Sequence, residues 1–215
     1  MAFATDRDLV VLEPGVFRDA AWTAQRVSVG GGGVSGITLT LSTGGPDFEA
    51  VGVGPGMVAL IDGAPVEVIE RTGASTLTVS RVRGIVEDAP IPLAVDASVK
   101  IEVYTFAAVL AGVHRRVLRM LGIEPDGDGS DDALAESAIT NPSALARLEA
   151  LGALHAIYSA ASAAGPVGTE MGERAEAYRM RFSDERQRAA ARVDLDGDGV
   201  PDATRRLNVI QFVRG

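Results

Sequence analysis

Residues 169–193, TEMGERAEAYRMRFSDERQRAAARV, run directly into residues 194–202, DLDGDGVPD, and the two together decide how the C-terminal half is read. Met171, Ala175, Tyr178, Phe182 and Ala189 recur at helical spacing, so one face is apolar. Glu170–Arg174 and Asp184–Arg188 are i,i+4 pairs of the favourable orientation on the other faces. Thr169 is the natural N-cap, with Glu170 and Glu173 near the positive end of the helix dipole. The spacing predicts one helix over 169–193.

In the stretch that follows, Asp194, Asp196, Asp198, Val200 and Asp202 stand at positions one, three, five, seven and nine of a calcium loop, with Gly199 at the sixth. Alternate carboxylates crowd oxygen atoms around one point, and the glycine allows the sharp bend. Position twelve, where a bidentate Glu is needed, is Arg205. Two readings stay open: an Asp/Gly turn that stops the helix, or a site for a structural calcium ion. No other cofactor is suggested.

Working outward toward the N-terminus, two more helices are expected. Residues 106–121 place Phe106, Leu110, Val113, Val117 and Leu121 on one stripe, with Arg115, Arg116 and Arg119 opposite. Asn141-Pro142 reads as a cap with Pro in the first turn, opening a helix to about Ala164. The three make a helical unit with antiparallel neighbours. The acidic stretch 126–132 between them reads as a solvated linker.

From Ser35 to Phe106 the signal changes to strand and turn. Ile37, Leu39 and Leu41 alternate with Thr38, Thr40 and Ser42, and Asp62-Gly63 between apolar runs is a hairpin signal. Six or so short strands imply a small antiparallel barrel or sandwich. The Gly30–Gly33 run lacks a following Lys-Ser/Thr and is read as a hairpin or linker rather than a phosphate loop. Residues 1–27 read as an extended lead, then a short helix over 17–27. The expected class is α+β, divided as 1–27, 28–105 for the β domain, 106–193 for the helices and 194–215 for an acidic turn and apolar arm.

Composition narrows function. The 215 residues carry a net charge of −9, spread over both halves, and no basic stripe of the kind that holds nucleic acid. There is no Cys, and no run approaches the length of a membrane span. His114 and His155 stand alone at metal spacing, and no nucleophile elbow occurs. No enzyme is expected. Leu207, Val209, Ile210, Phe212 and Val213 form a tail too apolar to stay free. It either packs back on its own domain or adds to another subunit as a partner-binding arm. Trp22, the sole Trp, either covers a core edge or stands at a subunit contact.

Over its C-terminal half the chain resembles the head–tail connector (adaptor) proteins of tailed bacteriophages. The resemblance rests on the helices from Pro142 to Val193, especially Ala156-Ile157-Tyr158 and Ala175-Glu176-Ala177-Tyr178-Arg179, on the turn from Asp194 to Gly199, and on the tail. It implies a structural protein of the virion neck, assembled in the bacterial host cytoplasm. Such proteins bind the portal protein as a ring, commonly twelvefold, dock C-terminal arms on it, and meet tail or other neck proteins. DNA then passes through the channel without specific binding, and no membrane is involved. The alternative is a calcium-stabilised protein-binding module without catalytic activity.

Overall fold

A computed structural model describes residues 2–124, 134–164 and 170–207. The chain divides into two compact units. One is Thr5–Ala107; the other joins the first four residues to the chain from Ala108 onward. The class is α+β: a closed antiparallel barrel, then helices and a C-terminal strand pair.

The first unit opens with α1 (Asp6–Leu12) and α2 (Val16–Asp19), followed by a 3-10 turn at Ala21–Thr23. The sequence reading made 9–12 extended. A cap decides otherwise: the Asp8 carboxylate accepts the Thr5 N–H at 2.8 Å and the Thr5 hydroxyl at 3.0 Å, starting a helix one turn earlier. Leu9 and Val10 are then buried on one side. The helix expected over 17–27 is cut short at Asp19. Pairing wins there, because Gln25 already lies opposite Thr105 in the barrel.

Six strands close the barrel: β1 (Gln25–Gly36), β2 (Thr38–Gly44), β3 (Val58–Ile61), β4 (Ala64–Gly73), β5 (Thr76–Arg81) and β6 (Leu93–Thr105). Their order around it is β1-β2-β5-β4-β3-β6. The β3–β4 turn is the expected Asp62-Gly63 pair, with φ of 49° and 82°, a primed turn whose twist suits a hairpin. Leu39 and Leu41 on β2, Leu77 and Val79 on β5, and Ile101 and Val103 on β6 point inward with Phe48 and Val53. The barrel is filled by its own side chains.

The glycine run is neither linker nor hairpin; it is the middle of β1. A Cβ on Gly30 would lie 2.2 Å from the Thr43 carbonyl oxygen, and one on Gly32 would lie 2.0 Å from that of Thr40. The register slips by one residue between Gly31 and Gly32. Without side chains β1 presses against β2 at this bulge and bends far enough to meet β6 on its other edge.

The second unit is built on α3 (Ala107–Met120), α4 (Ser143–Ala164) and α5 (Glu170–Arg188), with strands β7 (Ala190–Val193) and β8 (Ala203–Arg206). The helix α4 is buried on nearly every side, with Leu145, Leu148, Leu151, Leu154 and Ile157 all enclosed. By contrast α5 buries only Ala175, Tyr178 and Phe182. Tyr178 stacks on Tyr158 of α4 with centroids 5.8 Å apart and planes 5° from parallel. Gly152 is the crossing point, since a Cβ there would meet Val113 at 2.8 Å and Phe182 at 3.0 Å.

The helix expected to reach Val193 ends five residues early. Ala189–Val193 has good helix propensity, but strand pairing offers more bonds. The Arg192 N–H donates to Asn141 Oδ1 at 2.6 Å, the Thr140 N–H donates to the Arg192 carbonyl at 2.9 Å, and β8 pairs along the other edge. Ala191 and Val193 are fully enclosed as a result. Tertiary context overrides propensity.

Two predictions follow the glycine run and the buried acid of α1. Gly32→Ala should cost at least about 3 kcal/mol, because backbone must move, and Gly31→Ala about 1 kcal/mol, because only the rotatable Thr43 hydroxyl stands near; urea melts of the two variants check the contrast. Asp6 accepts the Phe106 N–H at 2.8 Å, and burial pushes its pKa up to about 6, against hydrogen bonds from Thr105 and Phe106. The folded state therefore holds this proton more tightly than the unfolded chain. Its contribution is greatest below about pH 4 and is lost as pH rises through 6. Asp6→Asn keeps the acceptor and should gain about 2–3 kcal/mol on wild type between pH 4 and pH 7, read from urea melts at both values.

Candidate functional site

The acidic loop is the turn of the β7–β8 hairpin, with Gly197 and Gly199 in the left-handed region at φ of 80° and 84°. Its carboxylates are engaged by the loop's own backbone. Asp194 accepts the Gly197 N–H with one oxygen and the Gly199 N–H with the other, both at 2.7 Å. Asp196 accepts from Asp198 at 3.2 Å, Asp198 from Val200 at 2.7 Å, and Asp202 from Leu195 at 2.7 Å. The Gly199 N–H above all holds the Asp194 carboxyl below the usual range. The Asp196 and Asp198 contacts, each to the N–H two residues on, are Asx turns, the means by which Asp shapes a chain locally.

As a metal site the loop is partial. Asp194, Asp196 and Asp202 each offer an oxygen within 4.8 Å of the others. Asp198 stands outside that group, and Val200 would supply only its carbonyl. Arg205, at the place of the bidentate Glu, has another task. Its Nη1 donates to the carbonyls of Leu121 and Gly122 at 2.7 and 3.2 Å, capping the C-terminal end of α3. The residue that weakens the calcium pattern is the one that ties the hairpin to the helical unit.

The apolar residues singled out in the sequence fall into three groups. Leu207 is buried, so the chain is still part of the helical unit at that point. Val209, Ile210, Phe212 and Val213 lie outside the described residues, as does the acidic stretch 126–132. Trp22 stands on the 3-10 turn with 60% of its surface exposed.

Sequence reasoning missed two groups. One is apolar and exposed: Ile85, Val86, Ile91 and Val95, on the β5–β6 connection and the start of β6. The signal was available in residues 85–95, IVEDAPIPLAV, where apolar side chains recur without the alternation that would bury one face. The other is polar and buried. His114 lies with Nδ1 2.7 Å from Glu149 Oε1 and Nε2 3.1 Å from Glu136 Oε2. The second Glu149 oxygen accepts the N–H groups of Phe3 and Ala4 at 2.7 and 3.1 Å, and the Phe3 ring packs edge-on against the imidazole at 4.7 Å. Burial holds the Glu149 carboxyl above its ordinary range despite these donors. Both imidazole nitrogens and both Glu149 oxygens are engaged, so the cluster fastens residues 3 and 4 to α3 and α4. His155 is half-buried against the Ala175 carbonyl, 3.0 Å from Nδ1.

Comparison with known protein families, with curated proteins and with solved structures finds no match to this chain. Among the described residues no helix is long and apolar enough to cross a membrane.

The hairpin carries its own prediction. Asp194→Ala removes the two carboxylate oxygens that accept the Gly197 and Gly199 N–H groups and should lower the melting temperature by the same amount in EDTA and in millimolar calcium. A wild-type melting temperature that climbs with calcium, and an Asp194→Ala variant that does not follow it, would instead make the loop a metal site.

Proposed function

We propose that this chain is a structural connector of the neck of a tailed bacteriophage, forming a ring beneath the portal protein and extending the DNA channel toward the tail. The observation that carries the reading is the apolar surface of the barrel unit. Val95 exposes 77% of its area, Ile85 59%, Val86 56% and Ile91 44%, within eleven residues of one another. Surfaces of this kind belong against other proteins, because leaving them in water forgoes about 25 cal/mol for every Å² that could be covered. Trp22 and Met180, also exposed, give the barrel unit and the helical unit further contact points. A protein whose apolar residues face outward on both units is suited to being one piece of an assembly.

The helical unit supports the reading in kind: it has a buried central helix, a solvated charged helix beside it and a hairpin after them, and the sequence that follows is apolar. The net charge of −9 suits a channel through which DNA slides, since an acidic wall repels phosphate instead of holding it. In this reading the partners are further copies of the chain in a ring of about twelve, the portal protein on one side and tail or other neck proteins on the other. No catalytic step is assigned, and the location is the virion neck after assembly in the host cytoplasm.

Affinity capture of the tagged full-length chain from cells producing whole particles tests this directly. Mass spectrometry should recover a portal protein and tail components with it. Capture of neither would overturn the connector reading.

A further inference from the structure

Several strand stretches of the barrel have a strand on one side only, among them the end of β4 beyond Val68 and the first half of β6, and the β6 stretch exposes a large apolar side chain, Val95. On the β3 side, β6 is paired from Ile101 to Tyr104, and its last bonds there join Asp62 and Lys100. From Leu93 to Val99 that side of β6 has no strand beside it among the described residues, while the opposite side pairs with β1 through Leu93, Asp96 and Val99. Ala94 through Ser98 are all exposed. Native sheets blunt such edges with Lys, Pro, bulges or a covering loop, because unpaired N–H and C=O groups recruit another strand. Here Pro90 and Pro92 precede the edge, its pairing with β1 shifts register twice, and Asp96 accepts the Ser98 N–H at 2.9 Å, yet Val95 stays exposed at its centre. The Ile91 carbonyl accepts from Arg81 and the Ile37 carbonyl from Val79, two residues apart on β5.

Charge selects the occupant. Residues 84–98 contain Glu87, Asp88 and Asp96 and no basic residue. A second copy of the same edge, paired antiparallel about a two-fold axis, would bring the two Asp96 carboxylates together on the diagonal, which is unfavourable. The fitting strand is apolar and basic at its ends. Residues 203–215 of this chain contain Arg205, Arg206 and Arg214 and no acid, with Val209, Ile210, Phe212 and Val213 between them. The reach also matches: the seven residues from 208 to 214 span about 23 Å when extended, and so do the seven of the open stretch from Leu93 to Val99.

We propose that residues 208–214 of one copy add as a strand to the open edge of β6 in the next copy. The contact is heterologous, joining the C-terminal arm of each chain to the barrel of its neighbour, so repeated around an axis it closes a ring. Main-chain bonds supply the affinity, Val95 and Ile91 receive the apolar side chains, and the acidic flank pairs with Arg214. It rests on the connector reading and deepens it by naming the contact between subunits, which takes the arm in place of the portal docking that the resemblance implies, and it is tested without the portal.

The absence of cysteine makes the test clean. Full-length Val95→Cys is mixed with full-length, larger-tagged Phe212→Cys and oxidised, with Ala177→Cys on the exposed side of α5 as the control partner for Val95→Cys. A disulfide-linked pair of unequal chains should dominate, at least about tenfold over the control. Removing residues 208–215 should abolish self-association in sedimentation while the melting temperature holds, and Val95→Arg should do the same. A cross-link formed only within a single chain carrying both cysteines would overturn the proposal, as would no cross-link above control. Failure here with the portal still captured would discard this contact alone. Success here without portal capture would leave a strand-exchanged oligomer of another kind.

Discussion

One buried ion triad sets the shape of the barrel unit. Glu67 on β4 is almost wholly enclosed; its Oε2 accepts from Arg7 Nε of α1 and its Oε1 from Arg83 Nε, both at 2.5 Å. Arg7 also donates to the Arg83 carbonyl at 2.6 Å, and Arg83 reaches the carbonyl of Asp88. Three segments far apart in sequence are therefore held by one carboxylate. Buried pairs of this kind add little net stability, because taking the ions out of water costs about as much as their attraction returns. What they contribute is uniqueness. Val66 and Val68 point into the barrel, so Glu67 between them lies on the outer side of β4, where the two guanidinium groups fix α1 and the β5–β6 connection against the strand. The exposed apolar surface exists because that connection is pinned at Arg83 and Asp88, leaving Ile85 and Val86 outward.

The helical unit depends on a parallel device of different chemistry. Glu149 sits on the most buried helix of the chain and is surrounded by donors: one imidazole and two backbone N–H groups. Its presence there is explicable only through residues 3 and 4, which no local pattern in α4 announces. Each unit thus places one buried acid where an N-terminal segment must be fastened, Glu67 for α1 and Glu149 for the residues before it. Within its own unit, each acid fastens an N-terminal segment in place of the loose lead expected from sequence.

Much of the fold was legible because it rests on local period. The alternation of Leu39 and Leu41, the Asp62-Gly63 turn and the stripe of Ala175, Tyr178 and Phe182 each declare their element from neighbours in sequence. What was not legible depends on distant partners. Residues 189–193 become a strand only because Asn141 and β8 are there to pair with them. Gly30–Gly33 looks like a linker until Thr40 and Thr43 are seen pressing on it. Arg205 reads as a spoiled calcium ligand until the end of α3 is placed beneath it. The surface at Val95 was overlooked for a related reason: an exposed apolar strand has the same composition as a buried one, and only pairing on both sides distinguishes them.

That last ambiguity bears on how the molecule works. Closing a barrel normally removes every edge, which is why closed sheets are safe in a crowded cell. This barrel closes over part of β6 and leaves the rest projecting past β3, flanked by Pro90 and Pro92 and marked by Asp96. A chance defect of that size, with Val95 exposed at its centre, would invite aggregation. In the proposed contact, the acidic residues around it disfavour like-charged edges and favour a strand of opposite charge. Selectivity of this sort requires little area. It needs one open run of backbone, one apolar contact at its centre and a charge pattern that its own copies cannot satisfy edge to edge.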